Sequence, residues 1–129
     1  MSKTVAVAAG GAVGAIMRYF VGLVSARFFG SNYPWGTVIV NLFGAFLIGF
    51  LWGVFEQVNL SASFKNFVLV GIIGSFTTFS TLSLDAFHLY RSGNTNLAFY
   101  HLIFTNILGF ILVALGYLLA QKTVKLASI

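Results

Sequence analysis

Four apolar runs, each about 20 residues or more, begin near Val5, Trp35, Phe67 and Leu97, with short polar stretches between them. An α-helix of that length spans a hydrocarbon core of roughly 30 Å. The pattern predicts an all-α integral membrane fold with four transmembrane helices, a single domain covering residues 1–129. Small and polar residues interrupt these runs with a regular spacing. In the first run Ala6, Gly10, Gly14, Arg18 and Gly22 recur every four residues; in the second Thr37, Asn41, Ala45, Gly49 and Gly53 do so; in the fourth, His101, Thr105 and Gly109. A spacing of four places each set on one helical face, so each helix is expected to bury a stripe against a neighbour.

The third run departs from this pattern. Its stretch GIIGSFTTFSTLS, Gly71 to Ser83, puts glycine and hydroxyl residues where a membrane helix ordinarily carries leucine. An unpaired backbone group in hydrocarbon costs several kcal/mol, so a broken helix at that depth survives only against protein or a wet cavity. Gly71 and Gly74 can release carbonyls from the helical ladder, and Ser75, Thr77, Thr78, Ser80, Thr81 and Ser83 supply hydroxyls. A third helix broken near its middle, serving as a pathway or ion site, is one reading. Close packing of helices through small residues is the other.

Composition narrows the class. The chain has 129 residues, 59% hydrophobic and only 7% charged, against the roughly 25% charged of a soluble domain. Four helices of this size fill their own interior, so a pathway calls for a homo-oligomer, most simply a two-fold dimer. The net charge of +5 is scattered over ends and loops and forms no block suited to nucleic acid. Lys3, Lys65, Lys122 and Lys125 fall on the terminal side and Arg27 and Arg91 on the other. That bias toward cytoplasmic termini is weak, and it is compatible with insertion in both orientations and pairing with an inverted copy.

The ionisable residues limit the chemistry. With two acids, two histidines and no cysteine, the chain has neither a nucleophile, base and orienting group for an enzyme nor a metal cluster of His and Cys. Arg18 lies deep in the first run, where a charge marks a functional position and calls for a cavity or a carboxylate; Asp85, running toward the same side, is a possible partner. Glu56 is expected as a solvated end residue near Lys65, and His101 as an interfacial residue at a helix start. Asn41, the hydroxyls of the third run, Thr105 and Arg18 are donors in a phenylalanine-rich interior. They favour a small anion over a cation, and ring edges add positive potential. Freed carbonyls would instead hold a cation. A small multidrug-type, proton-coupled antiporter is the competing transport reading, but the first helix carries Arg18 where such a protein needs an acid. A non-transporting membrane subunit, with stripes serving only packing, is a further alternative.

GGAVGAIMR in the first run, WGTVIVN in the second and GIIGSFTTFSTLS followed by Asp85 in the third resemble the Fluc, or CrcB, family of fluoride channels. The resemblance covers nearly the whole chain. It implies a passive, fluoride-selective channel of the bacterial inner membrane, built as an antiparallel dual-topology homodimer with two pathways. It also implies a structural Na⁺ at the dimer centre, held by the backbone carbonyls of Gly74 and Thr77 from each subunit. By the same resemblance Phe79 takes the first of two phenylalanine positions facing the fluoride, Asn41 the pore-lining asparagine and Arg18 the vestibule arginine. Ser80 and Thr81 fall on an adjoining hydroxyl track. Leu82 stands where the family commonly has its second phenylalanine, and Asp85 replaces a glutamate. His101, Thr105 and Gly109 occupy positions often filled by tyrosine and serine.

Overall fold

The structure, a computed structural model, describes residues 2–127. Helix α1 (Lys3–Phe29) leads to α2 (Trp35–Phe55), and a composite third segment is followed by the long α6 (Thr95–Ala127). The third segment runs through a single turn α3 (Ala62–Lys65), a π-helical stretch (Asn66–Ile73), a turn α4 (Gly74–Phe76) and α5 (Phe79–Arg91). Among the described residues four spans are long and apolar enough to cross a membrane: Lys3–Phe29, Trp35–Phe55, Ala62–Arg91 and Thr95–Leu126.

Local chemistry sets the boundaries. Ser2 caps α1 by accepting the Val5 N–H, and Ser61 caps α3 by accepting that of Phe64. Such caps satisfy donors that have no partner in the first turn of a helix. Gly30 ends α1 at φ 77° and Gly93 follows α5 at φ 85°, left-handed geometry that a side chain would strain.

The small-residue stripes become seams between helices. Helix α1 packs mainly against the π-helical stretch, α2 against α6, and α5 against α6. Ala6, Gly10 and Gly14 on α1 are buried, as are Gly49 and Gly53 on α2. The α1 seam is close enough that a Cβ added to Gly71 would sit 2.8 Å from the Gly10 Cα. Across the other seam, a Cβ on Gly53 would sit 2.8 Å from the Ala120 Cβ. Large side chains point outward instead, Phe28 and Phe110 being 75% and 77% exposed. Small residues inside and large ones outside suit helices whose surroundings are as apolar as their core, because backbone approach then drives association.

At the end of α2, Glu56 is exposed, as expected of an end residue. It accepts the Trp52 indole N–H at 2.7 Å and the Tyr117 hydroxyl at 3.0 Å. Lys65 donates to the Phe55 carbonyl at 2.8 Å. Trp52 lies one turn back on the same helix and reaches the carboxylate first.

Candidate functional site

The third segment leaves the helix at two residues. Thr77 (φ −80°, ψ 158°) and Thr78 (φ −154°, ψ 119°) are extended, and the ladder around them is re-routed through side chains. The Thr78 N–H, the regular donor to the Gly74 carbonyl, donates to Asn41 Oδ1 at 2.7 Å. The Thr81 N–H, the regular donor to the Thr77 carbonyl, donates to Thr78 Oγ1 at 3.2 Å and caps α5. Asn41 Nδ2 donates back to the Thr78 carbonyl at 2.9 Å. One amide side chain thus pairs with the Thr78 backbone as a neighbouring strand would, and the carbonyls of Gly74 and Thr77 lose their helical donors. The Ser75 carbonyl is taken by Arg18, whose Nε donates to it at 3.1 Å.

Two cavities meet at this break. One, of about 480 Å³, is an open groove lined by Asn41, Gly74, Thr77, Thr78, Phe79, Leu82, Thr105, Asn106, Gly109 and Phe110. The other, of about 270 Å³, is lined by Arg18, Thr37 and Thr81 among others, and Thr78 borders both. Thr78 Oγ1 donates to Thr81 Oγ1 at 3.0 Å and lies 3.4 Å from Ser80 Oγ. Of the residues singled out in the sequence, Asn41, Gly74, Thr77, Phe79, Leu82 and Thr105 come together in the groove. Arg18 and Thr81 lie on the other side of Thr78, and Ser80 joins only through the hydroxyl cluster. Leu82 is 3% exposed while Phe79 is 72% exposed in the single chain.

Arg18 and Asp85 do not pair. Arg18 caps the break, and Asp85 accepts the Thr37 hydroxyl at 2.5 Å. Thr37 stands four residues before Asn41 on the α2 stripe, so it reaches α5 while the Asn41 amide grips the break.

His101, expected at the membrane interface, faces the protein interior. It is fully buried, with Nδ1 3.0 Å from the Tyr33 hydroxyl and the two rings edge to face at 5.4 Å. Burial pushes the Tyr33 phenol above its usual value, so the hydroxyl keeps its proton and remains a donor. His101 Nε2 and Thr105 Oγ1 are buried without a hydrogen-bond partner, a state that costs about 1–3 kcal/mol per group when left unrelieved. Tyr33 and Thr78 are the two contributors that the sequence did not single out for these roles. Thr78 was legible as a hydroxyl in the motif; Tyr33 carried only the signal of an aromatic anchor at a helix start.

The groove therefore combines amide and hydroxyl groups with phenylalanine and leucine walls, and its lining holds no carboxylate. It offers donors to an anion in apolar surroundings, while the released Gly74 and Thr77 carbonyls offer acceptors to a cation on its edge.

Known proteins share this chain's pattern along nearly its full length. Residues 5–117 match the family described as CrcB-like protein, Camphor Resistance (CrcB). A protein of Agrobacterium fabrum named fluoride-specific ion channel FluC is 40% identical over 117 residues, 90% of this chain and 94% of that one. Proteins of the same name from Parabacteroides distasonis and Desulfotalea psychrophila are 36% identical over 126 residues and 37% over 118. Those matches cover 98% of both chains in the first case, and 92% of this chain and 91% of its relative in the second. With a match of this extent across all four spans, the chain belongs to the CrcB-like family.

Proposed function

We propose that this protein is a passive, fluoride-selective channel of the bacterial inner membrane, through which fluoride leaves the cytoplasm. The observation that carries the reading is the break itself: Asn41 holds it open beside a groove lined by donors and phenylalanines and free of carboxylate. Fluoride is a small anion with tightly held water, and a narrow row of amide, hydroxyl and ring-edge contacts can replace that water. Arg18, next to the second cavity, raises the local concentration of anions at its mouth.

The working unit is an antiparallel homodimer with two pathways. In support, Gly74 and Phe79 are exposed in the single chain, and backbone carbonyls without donors at membrane depth do not face lipid. A two-fold partner covers them. The same pairing brings Gly74 and Thr77 carbonyls from both subunits to one centre, a set of hard oxygens suited to Na⁺, as at unwound helices of transporters. When bound, Na⁺ supplies a fixed positive charge that ties the two breaks together.

The test is fluoride efflux from liposomes containing only the purified protein, loaded with KF and triggered by the K⁺ ionophore valinomycin, beside a matched chloride load. Fluoride release without chloride release is expected. Silence toward both ions from folded, dimeric protein with Na⁺ present would return the stripes to a packing role.

A further inference from the structure

The third segment winds more tightly in length where it meets α1. A Cβ on Gly10 would strike the Phe67 carbonyl oxygen, and one on Gly14 the Ile72 carbonyl oxygen. Two α1 glycines four residues apart thus face carbonyls five residues apart. Four residues of α-helix rise about 6 Å, so the facing stretch spends about 1.2 Å on each of its five. The ladder agrees: the Gly74 N–H donates to the Leu69 carbonyl, five residues back, as well as to that of Gly71. Over the eight residues Asn66–Ile73, the stretch is about 2.4 Å shorter than an α-helix of the same residues. Wide turns of this kind are rare and favour functional positions.

Immediately beyond it the segment gains length. Thr77 and Thr78 are extended. An extended residue rises about 3.3 Å and a helical one about 1.5 Å, so the two add about 3.6 Å. Shortening and lengthening nearly cancel, between fixed ends. Gly10 and Gly14 seat the stretch, while Asn41 holds Thr78 and Arg18 holds the Ser75 carbonyl.

We propose that the π-helical stretch and the break are two halves of one conformational element, and that neither returns to α-helix without the other. Helical Thr77 and Thr78 alone would draw α5 back by about 3.6 Å and strip it from α6, against which it packs. Lengthening of the stretch into an α-helix offsets most of that movement. The element therefore has two states of similar length. In the broken state the Gly74 and Thr77 carbonyls lack helical donors; in the continuous state the Thr78 and Thr81 N–H groups take them back, and the edge of the groove loses its acceptors. Gly10 and Gly14 act as positioning residues, since their missing side chains leave the room that the wide turn fills. The coupling concerns the backbone and stands apart from which ion the groove carries.

The test uses the full chain, labelled with ¹³C and ¹⁵N and held in lipid nanodiscs, with backbone resonances and couplings across hydrogen bonds read by NMR. Asn41→Ala removes both bonds to Thr78. Thr77 and Thr78 are expected to shift toward helical values, residues 69–73 to shift with them, and the Gly74–Leu69 coupling to be lost. A purely local role for Asn41 would leave residues 69–73 unmoved. Deletion of Val70, 55% exposed within the wide turn, leaves seven residues that span about the same length as an α-helix. The stretch then becomes α-helical while Thr77 and Thr78 stay extended. In that background Asn41→Ala no longer makes them helical, because the stretch has no length left to give.

A change at Thr77 and Thr78 with residues 69–73 unmoved overturns the coupling, as does a helical Thr77 and Thr78 in the double variant. If Asn41→Ala does not fold, the deletion decides: an intact break supports the element, and a straightened break or an unfolded chain overturns it. Fluoride efflux from liposomes is a separate readout. Coupled shifts in a protein that moves no fluoride remove the channel and leave the element, and efflux with uncoupled shifts does the reverse.

Discussion

Asn41 has both ends of one amide on the backbone of Thr78, at 2.7 and 2.9 Å. That leaves one Nδ2 hydrogen for the groove, so the residue both holds the break and offers a donor beside it. Asn41→Asp keeps the acceptor but sets a carboxylate oxygen against the Thr78 carbonyl. The two bonds cannot both survive, and an orphaned backbone group at this depth costs about 1–3 kcal/mol. We expect a lower melting temperature and at least about a 10-fold loss of fluoride efflux; full efflux from this variant would remove Asn41 from the pathway. Phe79 makes a contrasting case. Its ring is 72% exposed in the single chain, so Phe79→Ile should leave the fold of the subunit intact and still impair efflux, because a branched aliphatic has no positive edge. Leu82 is buried at the wall of the groove of about 480 Å³, which leaves room for a ring to turn inward. Leu82→Phe is therefore expected to conduct, and a folded but silent variant would count against the placement of Leu82 opposite the ion.

Along each helix, the stripes were legible because a spacing of four has one geometric meaning, and the buried faces of α1, α2 and α6 follow them. The break was legible as composition, since glycine and hydroxyl residues at membrane depth need an explanation. Its position at Thr77 and Thr78 was not. It depends on Asn41, 37 residues away in the chain, and on which carbonyls lose the competition for donors. The π-helical turns from Asn66 to Ile73 left no mark in the pattern either, because apolar residues on a buried segment look alike in either ladder. Tyr33 reaching His101 and Thr37 reaching Asp85 are tertiary contacts, and the Arg18–Asp85 pair, one option the sequence left open, does not form because Arg18 bonds the Ser75 carbonyl and Asp85 the Thr37 hydroxyl. The α1 seam predicts its own sensitivity. A Cβ on Gly71 would lie 2.8 Å from the Gly10 Cα, against α1 backbone that cannot swing aside, whereas one on Gly22 meets nothing within 4 Å. Gly71→Val should cost about 1–3 kcal/mol or more by forcing the helices apart, and Gly22→Ala should be neutral or stabilising by up to about 1 kcal/mol. Thermal unfolding in detergent, followed by size-exclusion chromatography, distinguishes them; equal stability of the two variants would contradict the seam.

For the molecule as a whole, the proposed pairing of two inverted copies rests on charge and on exposed backbone. Four lysines on the terminal side against two arginines on the other give the insertion machinery little to choose between. A groove whose edge carries freed carbonyls needs a protein cover, and an inverted copy provides one with the same surface. Because the sequence has no cysteine, a single introduced thiol reports alone. Ser31→Cys lies exposed in the α1–α2 connection, away from the break and the groove. In sealed vesicles, an impermeant thiol reagent added outside should label about half of the protein, the share expected of an inverted pair. The remainder should react only after the membrane is opened. Cross-linked dimers isolated from those vesicles should carry one labelled and one unlabelled subunit. Labelling that is all or none before permeabilisation would establish a single orientation. A parallel dimer would then have to cover the break, and the Gly74 and Thr77 carbonyls of two subunits could no longer converge on one ion by a two-fold axis in the membrane plane.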